Sequence, residues 1–334
     1  MTRRTFSVAA PALLASIAFV LGAQAQERSF TEIGENLYWV QNNNHHAMVL
    51  VGTDGVILVD PIGGDFAQWV RGEIQQRFGV PVRYVAYSHH HDDHASGGAA
   101  FNDTATFVGH ENMLGYLQMP PADTALPEDA AALDANGDGQ LQRGETSGDY
   151  EELFELYDDD GNGTINGAEA TRGPFSDVRP PDIVFKDRMR LTVGGAEAEL
   201  IHVGRMAHSN DMTAVVFPAQ STVFVVDFIS LNRLPFQTMA TGQLDAWLNS
   251  IRLIEVLDVD TVAPSHGLLG TREDVAAHRH YIEELRDEVA AGIARGASLA
   301  ELQDEIQMAA YQDWISYDAW RTLNIEGMYR MLTQ

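Results

Sequence analysis

Four potential metal ligands within six residues constrain this chain more than any other feature: His89, His91, Asp93 and His94, in Ser88-His-His-His-Asp-Asp-His-Ala-Ser-Gly-Gly98. Imidazole and carboxylate are the side chains that hold borderline divalent metals at neutral pH. Alternate residues of an extended loop face the same way, so His89 and His91 can converge on one ion. The loop then turns, directing Asp93 and His94 toward a second. Three isolated residues at the ends of strand-like stretches complete the set: His208, Asp227 and His266. His208 offers a third nitrogen to the first ion, and His266 joins Asp93 and His94 on the second. Asp227, which ends Thr222-Val-Phe-Val-Val226, is placed to bridge both. Any fold of this chain must gather side chains spread from position 89 to position 266.

There is no cysteine, which removes disulfides, thiol catalysis and thiolate ligands together. Nitrogen and oxygen ligands with a bridging carboxylate suit two zinc ions, with iron or manganese as alternatives. The formal net charge of −27 makes nucleic acid and anionic membrane surfaces poor partners. A small-molecule substrate is the expected partner, and the oligomeric state is left open.

Residues 1–25 read as an export leader rather than as part of the fold. Arg3 and Arg4 precede an apolar stretch from Val8 to Gly22, and Ala23-Gln24-Ala25 offers small residues for cleavage before Gln26. Thr2-Arg-Arg-Thr-Phe6 resembles a twin-arginine signal, an ordinary secretory signal being the alternative. Both predict a periplasmic or secreted protein. The apolar run is short for a membrane span, and no later stretch is long enough, so no membrane insertion is expected after cleavage.

The mature chain alternates short strands with amphipathic helices. Strands are predicted at 36–40, 47–51, 56–59, 82–87 and 105–108, and again at 183–185, 190–193, 198–202, 213–217, 222–226 and 261–263. Helices are predicted at 65–78, 111–117, 242–257 and from Arg272 to the C-terminus. Such interleaving argues for an α/β sandwich. Between Pro120 and Asp182 the composition changes: sixteen acidic residues face three arginines, a net of −13. Pro120-Pro121 and Pro180-Pro181 mark its ends, so 120–182 reads as an insertion that divides a main domain of residues 27–119 and 183–334.

His89-x-His91-x-Asp93-His94, Gly204-x-x-x-His208, Val226-Asp227 and Ser265-His266-Gly267 resemble the metallo-β-lactamase superfamily, in that order along the chain. Asp60, after Val56 to Val59, matches the early Asp usual there. The resemblance implies an αββα sandwich with its metals at the edge of two sheets, and hydrolysis of amides, esters, thioesters or phosphodiesters. The nucleophile expected is a hydroxide between ions ~3.5–4 Å apart, since such ions lower the pKa of bound water to about 7. Asp93 is expected to orient it as well as to bind metal. A β-lactam or a related cyclic amide or ester is the leading substrate. A bridging Asp227 looks more like glyoxalase II and related thioester or lactone hydrolases, which is the first alternative; a calcium-dependent binding module on an inert scaffold is the second. Asn232 and Arg233 are candidates to hold a substrate carboxylate. His45 and His46 are read as loop residues that wall the cleft or sit on the surface, His90 and Asp92 as ordinary loop residues, and His110, His202, His278 and His280 as structural.

The insertion carries two matches to the twelve-residue EF-hand calcium loop. The first offers Asp134, Asn136, Asp138, Gln140, Gln142 and Glu145 as ligands around Gly139 and Leu141. The second offers Asp158, Asp160, Asn162, Thr164, Asn166 and Glu169 around Gly163 and Ile165. Two calcium ions are therefore expected. Residues 146–157 would be one helix serving both loops, a spacing like that of compact extracellular pairs such as dockerin-like modules.

Overall fold

A computed structural model describes residues 27–205, 208–239 and 243–333 of the chain; the leader at 1–25 lies outside them. The chain begins with strands β1 (Arg28–Gly34), β2 (Leu37–Asn42), β3 (His45–Val51) and β4 (Val56–Val59), then helix α1 (Gly64–Phe78) and strand β5 (Val82–Ala86). A single turn, α2 (Asp92–Ala95), precedes β6 (Thr106–His110) and α3 (Met113–Leu117). The acidic segment holds α4 (Glu128–Ala131), β7 (Gln140–Gln142), α5 (Asp149–Glu152), α6 (Phe154–Tyr157), β8 (Thr164–Asn166) and α7 (Gly167–Arg172). Strands β9 (Ile183–Phe185), β10 (Arg188–Val193), β11 (Ala196–His202), β12 (Thr213–Phe217) and β13 (Thr222–Val225) follow. The chain ends with α8 (Leu244–Glu255), β14 (Thr261–Pro264), α9 (Arg272–Ala294), α10 (Leu299–Glu305) and α11 (Tyr317–Thr333).

Two sheets result, ordered β1-β2-β3-β4-β5-β6-β9 and β10-β11-β12-β13-β14. Pleating sends successive residues to opposite faces, and β3 and β4 show what each face meets. Met48, Leu50, Ile57 and Val59 share a cluster with Leu191, Leu200 and Val215 of the second sheet. Ala47, Val49, Val56 and Leu58 instead pack with Phe66, Val70 and Ile74 of α1. Trp247 and Ile251 of α8 and Tyr281 and Leu285 of α9 join the first cluster. The layers are therefore helix, sheet, sheet, helix. No helix among the described residues is long and apolar enough to cross a membrane.

The acidic segment has its own small cluster around Ala130, Leu141, Phe154, Tyr157 and Ile165. Its β7 and β8 pair antiparallel, with Leu141 opposite Ile165. The expected single helix over 146–157 is instead two four-residue turns. Gly148, at φ 58° and ψ −136°, delays the first, and Leu153, at φ −109° and ψ 21°, separates it from the second. After the metal-ligand run, α2 ends at Ala95 and a 3-10 turn runs from Gly98 to Phe101. The C-terminal helical region is three helices, parted by Gly296 at φ 81° and Met308 at φ 47°.

Candidate metal centre

Parallel pairing puts the C-terminal ends of β4 and β5 at one edge of the first sheet, and those of β13 and β14 at one edge of the second. Short backbone bonds stitch the edges together. Asp60 N–H reaches Ala86 O at 3.1 Å, Thr213 N–H reaches Ser88 O at 2.8 Å, and His46 N–H reaches Ser265 O at 2.9 Å. Residues distant in sequence thus leave their strands at one place. Two of them turn sharply there: Asp60 and Asp227 have φ of 61° and 47°, left-handed values that cost energy at a non-glycine residue.

His89, His91, His208 and Asp227 bring donor atoms within 4.8 Å of one another, as do His94, Asp227 and His266. Asp227 belongs to both groups. Its Oδ2 lies 3.2 Å from His89 Nε2 and 3.0 Å from His208 Nε2. Its Oδ1 lies 3.1 Å from His266 Nε2 and 3.4 Å from His94 Nε2. One carboxylate therefore presents an oxygen to each histidine group. Asp93 Oδ2 stands 3.4 Å from His94 Nε2 and 3.9 Å from His266 Nε2. Three imidazoles are oriented from behind. His94 Nδ1 faces Asp60 Oδ2 at 3.4 Å, His266 Nδ1 faces Asn44 O at 3.0 Å, and His89 Nδ1 faces Ser88 Oγ at 3.1 Å. Such outer partners set the tautomer and direction of ligating histidines.

A test of fit comes from groups left without partners. His94 is fully buried, and its ring nitrogens face the oxygens of Asp60, Asp93 and Asp227 at 3.4 Å without the geometry of a hydrogen bond. A polar group buried in this way is costly unless something else meets it, and a divalent ion between His94, Asp93 and Asp227 would do so. Protonation points the same way. Burial lowers His89, and burial followed by the neighbouring His89 and His208 lowers His91 further, so both imidazoles stay neutral as metal ligands must be. Burial pushes Asp227 and Asp93 upward, but the facing histidines, His94 foremost, outweigh it and hold both carboxyls below the usual range. His94 is lowered by burial but raised by Asp93 and Asp227, with a net shift upward. A cation is what those two carboxylates favour in its place.

Several sequence expectations need correction. His45 and His46 do not lie in a loop: they open β3, with His45 Nε2 3.1 Å from Asp93 Oδ2 and His46 buried flat against Trp39 at 3.6 Å. His90 is no ordinary loop residue. It is buried, stacked on Tyr116 at 3.7 Å, set edge-on to Phe175 at 5.0 Å, and bonded through Nδ1 to Asp211 Oδ1 at 3.1 Å. Asp92 belongs to α2, and burial with the adjacent Asp93 charge pushes it up to about 6. Asn232 is tied by its side-chain amide to Asp274 at 3.3 Å. Arg233 lines a cleft of about 440 Å³ with Trp39, Asn44, His46, Leu268 and Trp320. His110 and His202 stack on each other at 3.8 Å, away from the cluster.

In the acidic segment, Asp158, Asp160 and Glu169 bring oxygens within 4.8 Å of one another. Gly163, at φ 87°, makes the turn, and its N–H donates to Asp158 at 2.8 Å. In the first loop Gly139, at φ 81°, donates to Asp134 at 2.9 Å. There the side-chain amides of Asn136 and Gln142 donate to Asp138 at 3.1 and 3.0 Å.

A profile of the metallo-β-lactamase superfamily matches residues 41–266. No curated protein matches the chain. Among solved structures, a metallo-β-lactamase from Pontibacter korlensis is similar with a TM-score of 0.52 and 17% identity, over 77% of this chain and 99% of that one. A stereoselective inverting sec-alkylsulfatase from Pseudomonas sp. is similar with a TM-score of 0.63 and 16% identity, over 92% of this chain, which spans 50% of the sulfatase. At such identities the likeness speaks for the fold.

Proposed function

The chain belongs to the metallo-β-lactamase superfamily, and from that premise we propose that it is an exported metal-dependent hydrolase that opens a carbonyl substrate, a β-lactam or a related cyclic amide or ester. The observation that carries this reading is Asp227, whose two oxygens face two separate histidine groups at 3.0–3.4 Å. His89, His91, His208 and Asp227 would hold one ion, and Asp93, His94, His266 and Asp227 the other. Two divalent ions held there, zinc first among them, would supply an activated water and polarise the carbonyl. Asp93, whose side chain is partly exposed, is the group we assign to orient that water.

The adjoining cleft supports a substrate with an anionic group. Arg233 is half-buried, its guanidinium lies 4.6 Å from the Trp320 ring, and no carboxylate pairs with it among the described residues. Burial lowers its pKa, so its charge lacks the solvation it would have in water. A substrate carboxylate would compensate it, and Trp39 and Trp320, which line the cleft, suit an apolar body. The bridging Asp227 favours a second reading, a glyoxalase II-like thioester or lactone hydrolase. An inert scaffold would not be expected to keep a complete ligand set. Assaying zinc-loaded protein against a cephalosporin reporter and a glutathione thioester separates the two enzymes, with a sulfate ester as control. No turnover of either would retire both substrates. His91→Ala should abolish turnover and leave calcium binding intact.

The insertion we read as a calcium-binding pair, with Asp134, Asn136, Asp138, Gln140, Gln142 and Glu145 around one ion. Asp158, Asp160, Asn162, Thr164, Asn166 and Glu169 would surround the other. The glycine turns and the convergence of Asp158, Asp160 and Glu169 support this. Its role is structural, because extracellular calcium fills even weak sites.

A further inference from the structure

We propose that His45 is a ligand of the second ion, giving that position five protein donors in place of the four that the sequence motifs supply. The donors are the imidazoles of His45, His94 and His266 and one oxygen each from Asp93 and Asp227. The inference rests on the dinuclear reading above and deepens it by setting the kind of ion the second position takes.

Donors about 2.1 Å from one ion lie roughly 3 to 4 Å from each other. A single atom, Asp93 Oδ2, meets that condition with three imidazoles: 3.1 Å from His45 Nε2, 3.4 Å from His94 Nε2 and 3.9 Å from His266 Nε2. His45, Asp93 and His266 bring their donor atoms within 4.8 Å of one another. The His45 and His266 ring centroids are 4.5 Å apart and set edge to face, which leaves room for both nitrogens to address one point. A ring that merely decorated the surface would not be anchored this firmly. On one side of His45, Asn44 O accepts from His266 Nδ1 at 3.0 Å; on the other, His46 N–H donates to Ser265 O at 2.9 Å. The backbone carrying His45 is thus fastened to the backbone carrying His266, and the two rings are presented as a pair. Such anchoring lowers the entropy lost when both bind an ion.

The consequence is asymmetry. His89, His91, His208 and one Asp227 oxygen make four donors, the number zinc commonly takes. Five protein donors exceed that number, and such a set is suited to manganese or ferrous iron. Stepwise titration of the metal-free full-length protein with cobalt(II) reads this directly. Four-coordinate cobalt absorbs strongly in the visible, and five- or six-coordinate cobalt weakly. The first equivalent should give intense bands and the second weak ones. In His45→Ala the second equivalent should bind at least tenfold more weakly, with the first unchanged, and added imidazole should restore it. Intense bands on the second equivalent in the wild type, or unchanged second-ion affinity in His45→Ala, would overturn the assignment while leaving a dinuclear site. Uptake of only one ion by the wild type would remove the dinuclear reading itself, and this inference with it.

Discussion

Asp227 leaves β13 at a left-handed backbone angle and puts its two oxygens against different histidine groups. Asp227→Asn keeps the shape but replaces one carboxylate oxygen with an amide nitrogen that has no lone pair to give an ion, and removes the negative charge. The variant should lose a bound metal by elemental analysis and at least a hundredfold in turnover. Asp60 acts one layer out, behind His94, and Asp60→Asn should weaken metal binding by about 10- to 100-fold in a chelator competition. His278 gives a prediction about pH. It is fully buried, and burial lowers its pKa to about 4 from an ordinary 6.5. Between those values the unfolded chain binds a proton that the folded chain refuses, so stability present above pH 6.5 is lost as pH falls toward 4. The contribution is bounded by roughly 3 kcal/mol. His278→Leu should flatten that part of the stability profile in urea melts, and an unchanged acid limb would refute the assignment. The candidate ligands His89, His91, Asp93 and His94 were legible because their spacing is local. His45 and His90 were not, since what defines them is a partner far along the chain: Asp93 for one, Tyr116, Phe175 and Asp211 for the other.

At the scale of elements, most strands were legible from β-branched runs, and the ends moved by a residue or two where pairing rather than composition sets them. The expected first strand, 36–40, is β2; β1 (Arg28–Gly34) before it was not read from the sequence, and pairing with β2 along the sheet edge is what makes it a strand. The acidic segment does more than hang from that sheet. Asp177 O accepts from Gly97 N–H at 3.2 Å, Ser96 bridges to Val178, and Phe175 meets His90 edge-on. The segment's return path therefore braces the loop that carries the metal ligands. Phe175→Ala should cost about 1–3 kcal/mol and weaken metal affinity along with it. Gly97 is the tighter constraint: at φ 84°, an added Cβ would lie 2.4 Å from Gly63 C and 2.5 Å from Gly63 O. Gly97→Ala must move backbone on both sides, at a cost of roughly 3 kcal/mol or more. A melting temperature within a degree of wild type would show that the two loops do not pack as described.

For the molecule as a whole, charge is the standing cost. The chain carries a net −27, of which −13 falls between Pro120 and Asp182. That segment's own apolar cluster is small, too small to offset such self-repulsion and the entropy of ordering its loops. Bound calcium would neutralise four charges and bind only the folded form. At calcium a hundredfold above the dissociation constant, each site would add about 2.7 kcal/mol. Because Phe175 and Val178 tie the segment to the main fold, that gain should appear in global unfolding rather than in a separate early transition. Adding chelator to calcium-loaded protein should then lower the main melting temperature by several degrees. Glu169→Gln should abolish part of that response, since Glu169 sits at the twelfth position of the second loop. Turnover at temperatures below the melt should be unaffected when chelator is chosen to spare the transition metals. A melting curve insensitive to both chelator and added calcium would leave the acidic segment without its proposed ions, and some other compensation would have to hold its carboxylates together.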